Sequence, residues 1–262
     1  MNSTASAAEK ATTLKRLHTD PELLRLVNVW DAATARVVAD VPGVTALATA
    51  SHSIAASLGL EDGEQISRDA MLDVVAVIVT ATDLPVTADL EAGYGDAGET
   101  ARRAIGVGAV GMNLEDQMAP LPNAVAAVEA VVAAAEAEGV PDFVLNARTD
   151  AFIRAGERPR GDVLADAIER GHAFLGVGAP VVFVPGGVDE DEIAALVEAF
   201  GPGRLSLIAR PGGIALDRMA ELGVARVSFG PFSQSVALMA LQDLTTSVQS
   251  GGGLPADFRM LS

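Results

Sequence analysis

Eight short apolar runs, rich in β-branched residues, recur along this chain at 26–30, 44–48, 85–89, 109–115, 143–147, 180–184, 204–209 and 224–229. Most are apolar at nearly every position, not at every second one. That pattern belongs to strands covered on both faces, as in a parallel sheet flanked by helices. The stretches between them have helical periodicity. Ile193, Leu196, Val197 and Phe200 form one stripe at i, i+3, i+4 and i+7, and Val125, Val128, Val132 and Ala135 form a second, opened by Pro122. Leu164, Ile168 and Leu175 form a third.

A glycine followed by an apolar residue recurs just ahead of the strands, at Gly43, Gly108, Gly139, Gly178 and Gly223. Glycine takes the left-handed conformation that ends a helix, and the next residues then enter the sheet. Eight such units without a linker-like break predict an α/β chain folded as one (β/α)8 TIM-type barrel over residues 1–262, with its core at about 24–245. The ends, 1–12 and 250–262, read as flexible. An open doubly wound sheet is the alternative. It would make a nicotinamide oxidoreductase thinkable, but the segment Gly106-Val-Gly108-Ala-Val-Gly111 closes a helix and opens a strand. A dinucleotide fingerprint needs the reverse order.

The net charge of −17 disfavours nucleic acid and anionic membrane as partners. It also means that an anionic substrate needs a locally positive site. The chain has no cysteine, which excludes disulfides and thiol catalysis, and no apolar run approaches the roughly 18 residues of a membrane span. Its first residues, MNSTASAAEK, do not read as a secretory signal, so a cytoplasmic location is expected.

Chemistry in a parallel barrel sits at the C-terminal ends of the strands. There the third run leads to Asp89 and Glu91, and the fourth to Glu115 and Asp116. Carboxylates crowded at one rim repel one another, and a hard divalent cation relieves that repulsion. Read one at a time, the same acids suit helix caps or solvated loops. The fifth run ends at Arg148, which either grips a substrate carboxylate or makes a rim ion pair with Asp150 or another acid. The second run leads into Ala50, Ser51 and His52, whose backbone amides are placed to meet an oxyanion; the His52 ring itself also suits a structural role. His18 and His172 read as surface residues, and Trp30 as packing at the barrel mouth.

These residues carry a resemblance. Asp89-x-Glu91-x-Gly-Tyr-Gly, Asn113-Leu-Glu115-Asp116 and Ala147-Arg148-Thr-Asp-Ala-Phe152 occur in an order and spacing that resemble the isocitrate lyase/phosphoenolpyruvate mutase family, over roughly residues 24–245. The stretch from Ser53 to Asp62 and the tail from Leu222 to Gly230 fit as well. The resemblance implies a barrel whose last helix is exchanged between subunits, in a homotetramer built as a dimer of dimers. It implies Mg2+, with Mn2+ as a substitute, bound directly by Asp89 and through waters by Glu91 and Glu115. Arg148 would hold the carboxylate of a small anionic 2-oxo acid, the Ala50–His52 segment would offer amides to it, and Asp62 would support the metal site.

The loop after the fourth strand narrows the reaction. Family lyases carry K-[KR]-C-G-H there, whereas this chain reads Gln117-Met-Ala-Pro-Leu-Pro-Asn-Ala124. Mutases carry E-D-K-x-x-P-K-x-N-S. Glu115, Asp116, Pro120 and Asn123 match that pattern, but Gln117, Leu121 and Ala124 replace Lys, Lys and Ser. Losing two cations beside a transferring phosphoryl group counts against mutase chemistry. The expectation is a Mg2+-dependent lyase that cleaves a C–C bond of a small 2-oxo or 2-hydroxy dicarboxylate through a pyruvate-like enolate, with oxaloacetate-type decarboxylation leading and Asp62, Glu115, Asn123 and Arg148 as its catalytic candidates. Phosphonate chemistry and a catalytically silent, metabolite-binding barrel are the alternatives.

Overall fold

The computed structural model describes residues 5–261. Its strands are β1 (Leu24–Leu26), β2 (Asn28–Val29), β3 (Leu47–Thr49), β4 (Val86–Asp89), β5 (Gly111–Glu115), β6 (Val144–Arg148), β7 (Val181–Phe183), β8 (Leu205–Ile208) and β9 (Arg226–Ser228). All pairings are parallel, in the order β1-β9-β8-β7-β6-β5-β4-β3-β2. The two edges of this sheet, β1 and β2, are separated only by Val27. One stretch of chain therefore brings the edges together, and the architecture is the (β/α)8 barrel.

This split corrects the expected first strand. The run 26–30 is not one strand: Leu24–Leu26 pairs with β9 and Asn28–Val29 pairs with β3. The buried Asn28 side chain secures the junction, donating to Thr49 O at 2.7 Å and accepting from the Phe229 and Gly230 amides at 2.8 Å. The second run also starts later than expected. The chain leaves Gly43 in a left-handed turn, and pairing begins only at Leu47.

Helices α1 (Ala7–Thr19), α2 (Ala32–Ala39), α3 (Ser51–Ser57), α4 (Arg68–Thr80), α5 (Ala97–Gly106), α6 (Leu121–Ala137), α7 (Arg160–Gly176), α8 (Glu190–Phe200), α9 (Leu216–Glu221) and α10 (Phe232–Gln249) complete the described elements. The segment 106–111 closes α5 and opens β5 as expected, with Gly108 at φ 92°. In α7 the buried face carries Val163, Ala167, Arg170, Gly171 and Phe174, so the Leu164–Ile168–Leu175 stripe lies on its half-buried flank. Gly171 sets that rotation: any Cβ there would overlap the Phe200 ring of α8.

The N-terminal segment differs most from expectation. Residues 1–4 lie outside the described residues, but Ala7–Thr19 is a helix opened by a Ser6/Glu9 capping box. Its Ala11 and Leu14 are fully buried. Leu14 reaches the barrel floor, where a Cβ on Gly111 would lie 3.1 Å from its Cδ2 and 2.7 Å from Val144 O. His18 is therefore buried, its Nδ1 2.8 Å from Leu14 O, and not at the surface as expected. Residues 250–261 hold turns and no regular element, and Ser262 lies outside the described residues. Among the described residues, no helix is long and apolar enough to cross a membrane.

Candidate active site

Asp89 ends β4 at the C-terminal mouth of the barrel and is held from three sides. Its Oδ2 accepts from the Ser51 amide at 3.1 Å and the Ser51 hydroxyl at 3.0 Å, and its Oδ1 accepts from Asn113 Nδ2 at 3.2 Å. Its own amide donates to Thr49 Oγ1 at 2.8 Å. The Ala50–His52 segment caps and opens α3. The Ser51 amide, one of those expected to face an oxyanion, is here directed at Asp89.

The chain then turns sharply. Glu91 and Tyr94 adopt φ of 51° and 54°, and Glu64, across the mouth, adopts 61°. Side chains rarely tolerate this region, and such strain collects at functional sites. The three residues hold one another: the Glu64 amide donates to Glu91 Oε2, the Tyr94 amide donates to Glu64 Oε1 at 2.7 Å, and the Tyr94 hydroxyl donates to Glu91 Oε1 at 3.2 Å. Burial first, and then the negative charges of Asp62 and Asp89, raise the Glu91 carboxyl to about 7 against the lowering pull of the Glu64 amide and the Tyr94 hydroxyl. Asp62 lies in the loop ahead of α4, 3.8 Å from Nδ1 of the half-exposed His52.

The third group straddles β5 and β6. Arg148 Nη1 lies 2.7 Å from Glu115 Oε2, and its Nε donates to Asp150 Oδ1 at 2.7 Å. Burial raises the Glu115 carboxyl, while Arg148 pulls it down. Beneath them is a buried brace: Asp116 Oδ1 accepts from the amides of Met118 at 2.9 Å and Asp150 at 3.0 Å, and its Oδ2 faces Arg170 Nη1 at 3.1 Å. Arg170 also donates to Ala119 O at 3.0 Å. The brace thus fixes the strained turn at Gln117 and Met118 and the residue that holds Arg148. A cavity of about 150 Å3 opens beside it, lined in part by Glu115, Arg148, Gln117 and the exposed Asn123 of the first turn of α6.

Both readings of Arg148 meet here, since it forms the rim ion pairs and also faces a cavity. The three acids do not converge as ready-made ligands: among the described residues no group of three or more His, Cys, Asp or Glu is placed to hold an ion together. Glu91 turns to Glu64 and Tyr94, and Glu115 turns to Arg148. The donor set nevertheless suits Mg2+, which takes one or two carboxylates and keeps several waters. Asp89 is a fixed hard-oxygen donor at the mouth, with its carboxylate held by Ser51 and Asn113.

Sequence reasoning missed Glu64, Tyr94, Asp116 and Arg170 as supports, and it missed Asn113, Asn146 and Arg226 in the barrel interior. The last three had a signal. Each is a polar residue set inside an otherwise apolar strand run, at a position that alternation turns inward. Trp30 packs at the edge of the core, as expected.

A parallel barrel with acids and an arginine gathered at its C-terminal mouth has its polar groups where barrel enzymes carry their active sites. Comparison with known proteins makes the class specific. The family model for phosphoenolpyruvate phosphomutase matches residues 14–249, and the chain belongs to that family, within the isocitrate lyase/phosphoenolpyruvate mutase superfamily of lyases and mutases. It is 28% identical to the phosphoenolpyruvate phosphomutase of Streptomyces hygroscopicus, over 97% of this chain and 87% of that protein. It is also 28% identical to the oxaloacetate decarboxylase of Paraburkholderia xenovorans, over 91% of this chain and 82% of that protein. A crystal structure of a candidate phosphonomutase from Burkholderia cenocepacia J2315 superposes with a TM-score of 0.85 at 40% identity, covering 94% of this chain and all 100% of the other.

Proposed function

We propose that this protein is a Mg2+-dependent lyase that cleaves a C–C bond of a small 2-oxo dicarboxylate, with oxaloacetate-type decarboxylation as its reaction. One observation carries this reading. Among the described residues lining the cavity beside Glu115, Arg148 is the one cation, and the 117–124 loop brings no lysine, histidine or thiol to it. Phosphoryl transfer needs its charge neutralised, and cleavage that protonates a departing carbon needs a dedicated acid. Decarboxylation needs neither.

In this reading Arg148 exchanges part of its pairing with Glu115 for the substrate carboxylate, keeping Asp150 as its second anchor. Asp89 would hold the metal, Glu91 and Glu115 would act on it through waters, and Asp62 would support the site. A bound Mg2+ supplies positive charge where the keto oxygen becomes an enolate oxygen. The C3–C4 bond breaks, CO2 leaves, and the electron pair remains on the three-carbon fragment, which takes its proton from water. Asn123, at the cavity edge, would hydrogen-bond the substrate. The divalent-metal use general in this superfamily supports the cofactor, and Mn2+ is the expected substitute.

Phosphonate P–C chemistry is the second reading, favoured by the 40% identity to the candidate phosphonomutase and by Asn123 in the mutase loop pattern. Oxaloacetate, phosphonopyruvate and methylisocitrate, each with and without Mg2+, separate the readings when followed by proton and phosphorus NMR. Pyruvate from oxaloacetate alone is the expected result. Phosphoenolpyruvate, or pyruvate with inorganic phosphate, from phosphonopyruvate selects the second reading, and no turnover of any of the three selects a silent barrel.

The proposal extends to assembly. Helix α10 exposes Val236, Leu238, Met239 and Leu241, each more than half accessible, and buries only Gln234. An 18-residue helix with such a face suits exchange between subunits of a homotetramer made from two dimers.

A further inference from the structure

Arg226 opens β9 inside the barrel and is 1% exposed. Its Nε and Nη1 have no hydrogen-bond partner, and its one hydrogen bond is a long 3.4 Å contact from Nη2 to Asn113 Oδ1. Burial lowers the guanidinium to about 10, opposed by the attraction of Asp89, so it remains charged at neutral pH. The buried His18 ring is held down to about 3 chiefly by burial and then by the charge of Arg226, and so is neutral. Burying a cation with so little compensation is costly. A packed apolar residue would make a more stable floor.

The hydrogen bonds show what the cation does. Asn113 Oδ1 accepts from Arg226 and, at 2.8 Å, from Asn146 Nδ2, while Asn113 Nδ2 donates to Asp89 Oδ1. Arginine is donor-only and a carboxylate is acceptor-only, so this chain of contacts has a single allowed direction. The carboxylate end loses acceptor strength when Asp89 shares its electrons with a cation. The arginine end keeps its donor strength, because its charge does not depend on what binds at the mouth.

We infer that Arg226 is a positioning residue that fixes the Asn113 amide and, through it, the orientation of the Asp89 carboxylate at the mouth. The inference rests on the reading of Asp89 as the metal-binding carboxylate, and its test separates the two. Wild type, Arg226→Met, Arg226→Lys and Asn113→Leu are titrated with Mn2+ and followed by the paramagnetic resonance of the free ion, with circular dichroism melting alongside. Loss of an outer support of this kind typically costs about 10–100-fold in metal affinity. Arg226→Met and Asn113→Leu are each expected to weaken Mn2+ binding in that range, with Arg226→Lys in between. Electrostatics alone predicts the opposite, since removing a cation near the site tightens Mn2+. Unchanged or tighter binding in Arg226→Met, including a loss of melting temperature alone, overturns the inference. If wild type itself binds no Mn2+, the metal reading fails, and the inference is then decided by the Asn113 side-chain amide resonances. Slow hydrogen exchange in wild type that becomes fast in Arg226→Met supports it, and equal exchange overturns it.

Discussion

Glu115 and Arg148 are register partners on the adjacent parallel strands β5 and β6, and their side chains meet at 2.7 Å. The pairing follows from the sheet itself: inward-facing positions at equal height on neighbouring strands point into the same space. It also means that the substrate's carboxylate would compete with Glu115 for the guanidinium.

Arg148→Lys keeps a charge but loses the planar fork that contacts Glu115 and Asp150 together. We expect both Arg148→Lys and Arg148→Ala to raise KM for the 2-oxo acid by about 10–100-fold, as expected for a charge-assisted hydrogen bond of about 1.5–3 kcal/mol. Steady-state kinetics checks this, and an unchanged KM removes Arg148 from the substrate site.

The Glu91 carboxyl gives the metal-free protein a distinctive pH dependence. Its folded-state value is raised from 4.5 to about 7, so between those values the folded form binds more protons than the unfolded form. Its contribution is fully present below pH 4.5 and is lost as pH rises through 7, on the order of 2–3 kcal/mol. In chelator, wild-type melting temperature is expected to fall between pH 5 and 7.5 relative to Glu91→Gln. Parallel pH profiles for the two proteins contradict the assignment.

Arg170 lies below the rim and touches no cavity-lining acid other than Asp116. Replacing it with Met leaves Asp116 buried without its cation, and breaking such pairs costs about 3–5 kcal/mol. A fall in melting temperature of about 6–20 °C is expected on that cost, at the 2–4 °C per kcal/mol typical of a chain this size. A rise in KM should accompany it as the Gln117–Met118 turn and Asp150 loosen. Thermal melting with kinetics tests both, and loss of stability with an unaltered KM shows that the brace does not reach the site.

Light scattering tests the role of α10. The double variant Leu238→Lys/Leu241→Lys places two charges on its exposed apolar face. The particle mass is expected to drop below that of wild type, and an unchanged mass shows that this face makes no subunit contact.

The barrel was legible because its signal is repeated: most strands are near-continuous apolar runs, and a glycine precedes five of the eight. What was not legible is where the chain breaks its own pattern. Nothing in Leu26–Trp30 announces that Val27 divides a strand between two neighbours, because the division is made by Asn28 bonding to Thr49, Phe229 and Gly230 far along the chain. His18 read as a surface residue for a similar reason. A histidine in an amphipathic helix looks exposed until one knows that α1 plugs the barrel floor. At the site, Asp89, Glu91, Glu115 and Arg148 were readable as strand-end residues. Their supports Glu64, Asp116 and Arg170 come from loops and a helix whose paths only the folded chain reveals.

The most direct test of the account is the rate of pyruvate formation from oxaloacetate, with Mg2+ and with chelator, in wild type and in Asp89→Ala. Mg2+-dependent turnover is expected in wild type, abolished by chelator and reduced to the spontaneous background in Asp89→Ala. Full activity in Asp89→Ala, or wild-type turnover indifferent to chelator, contradicts it.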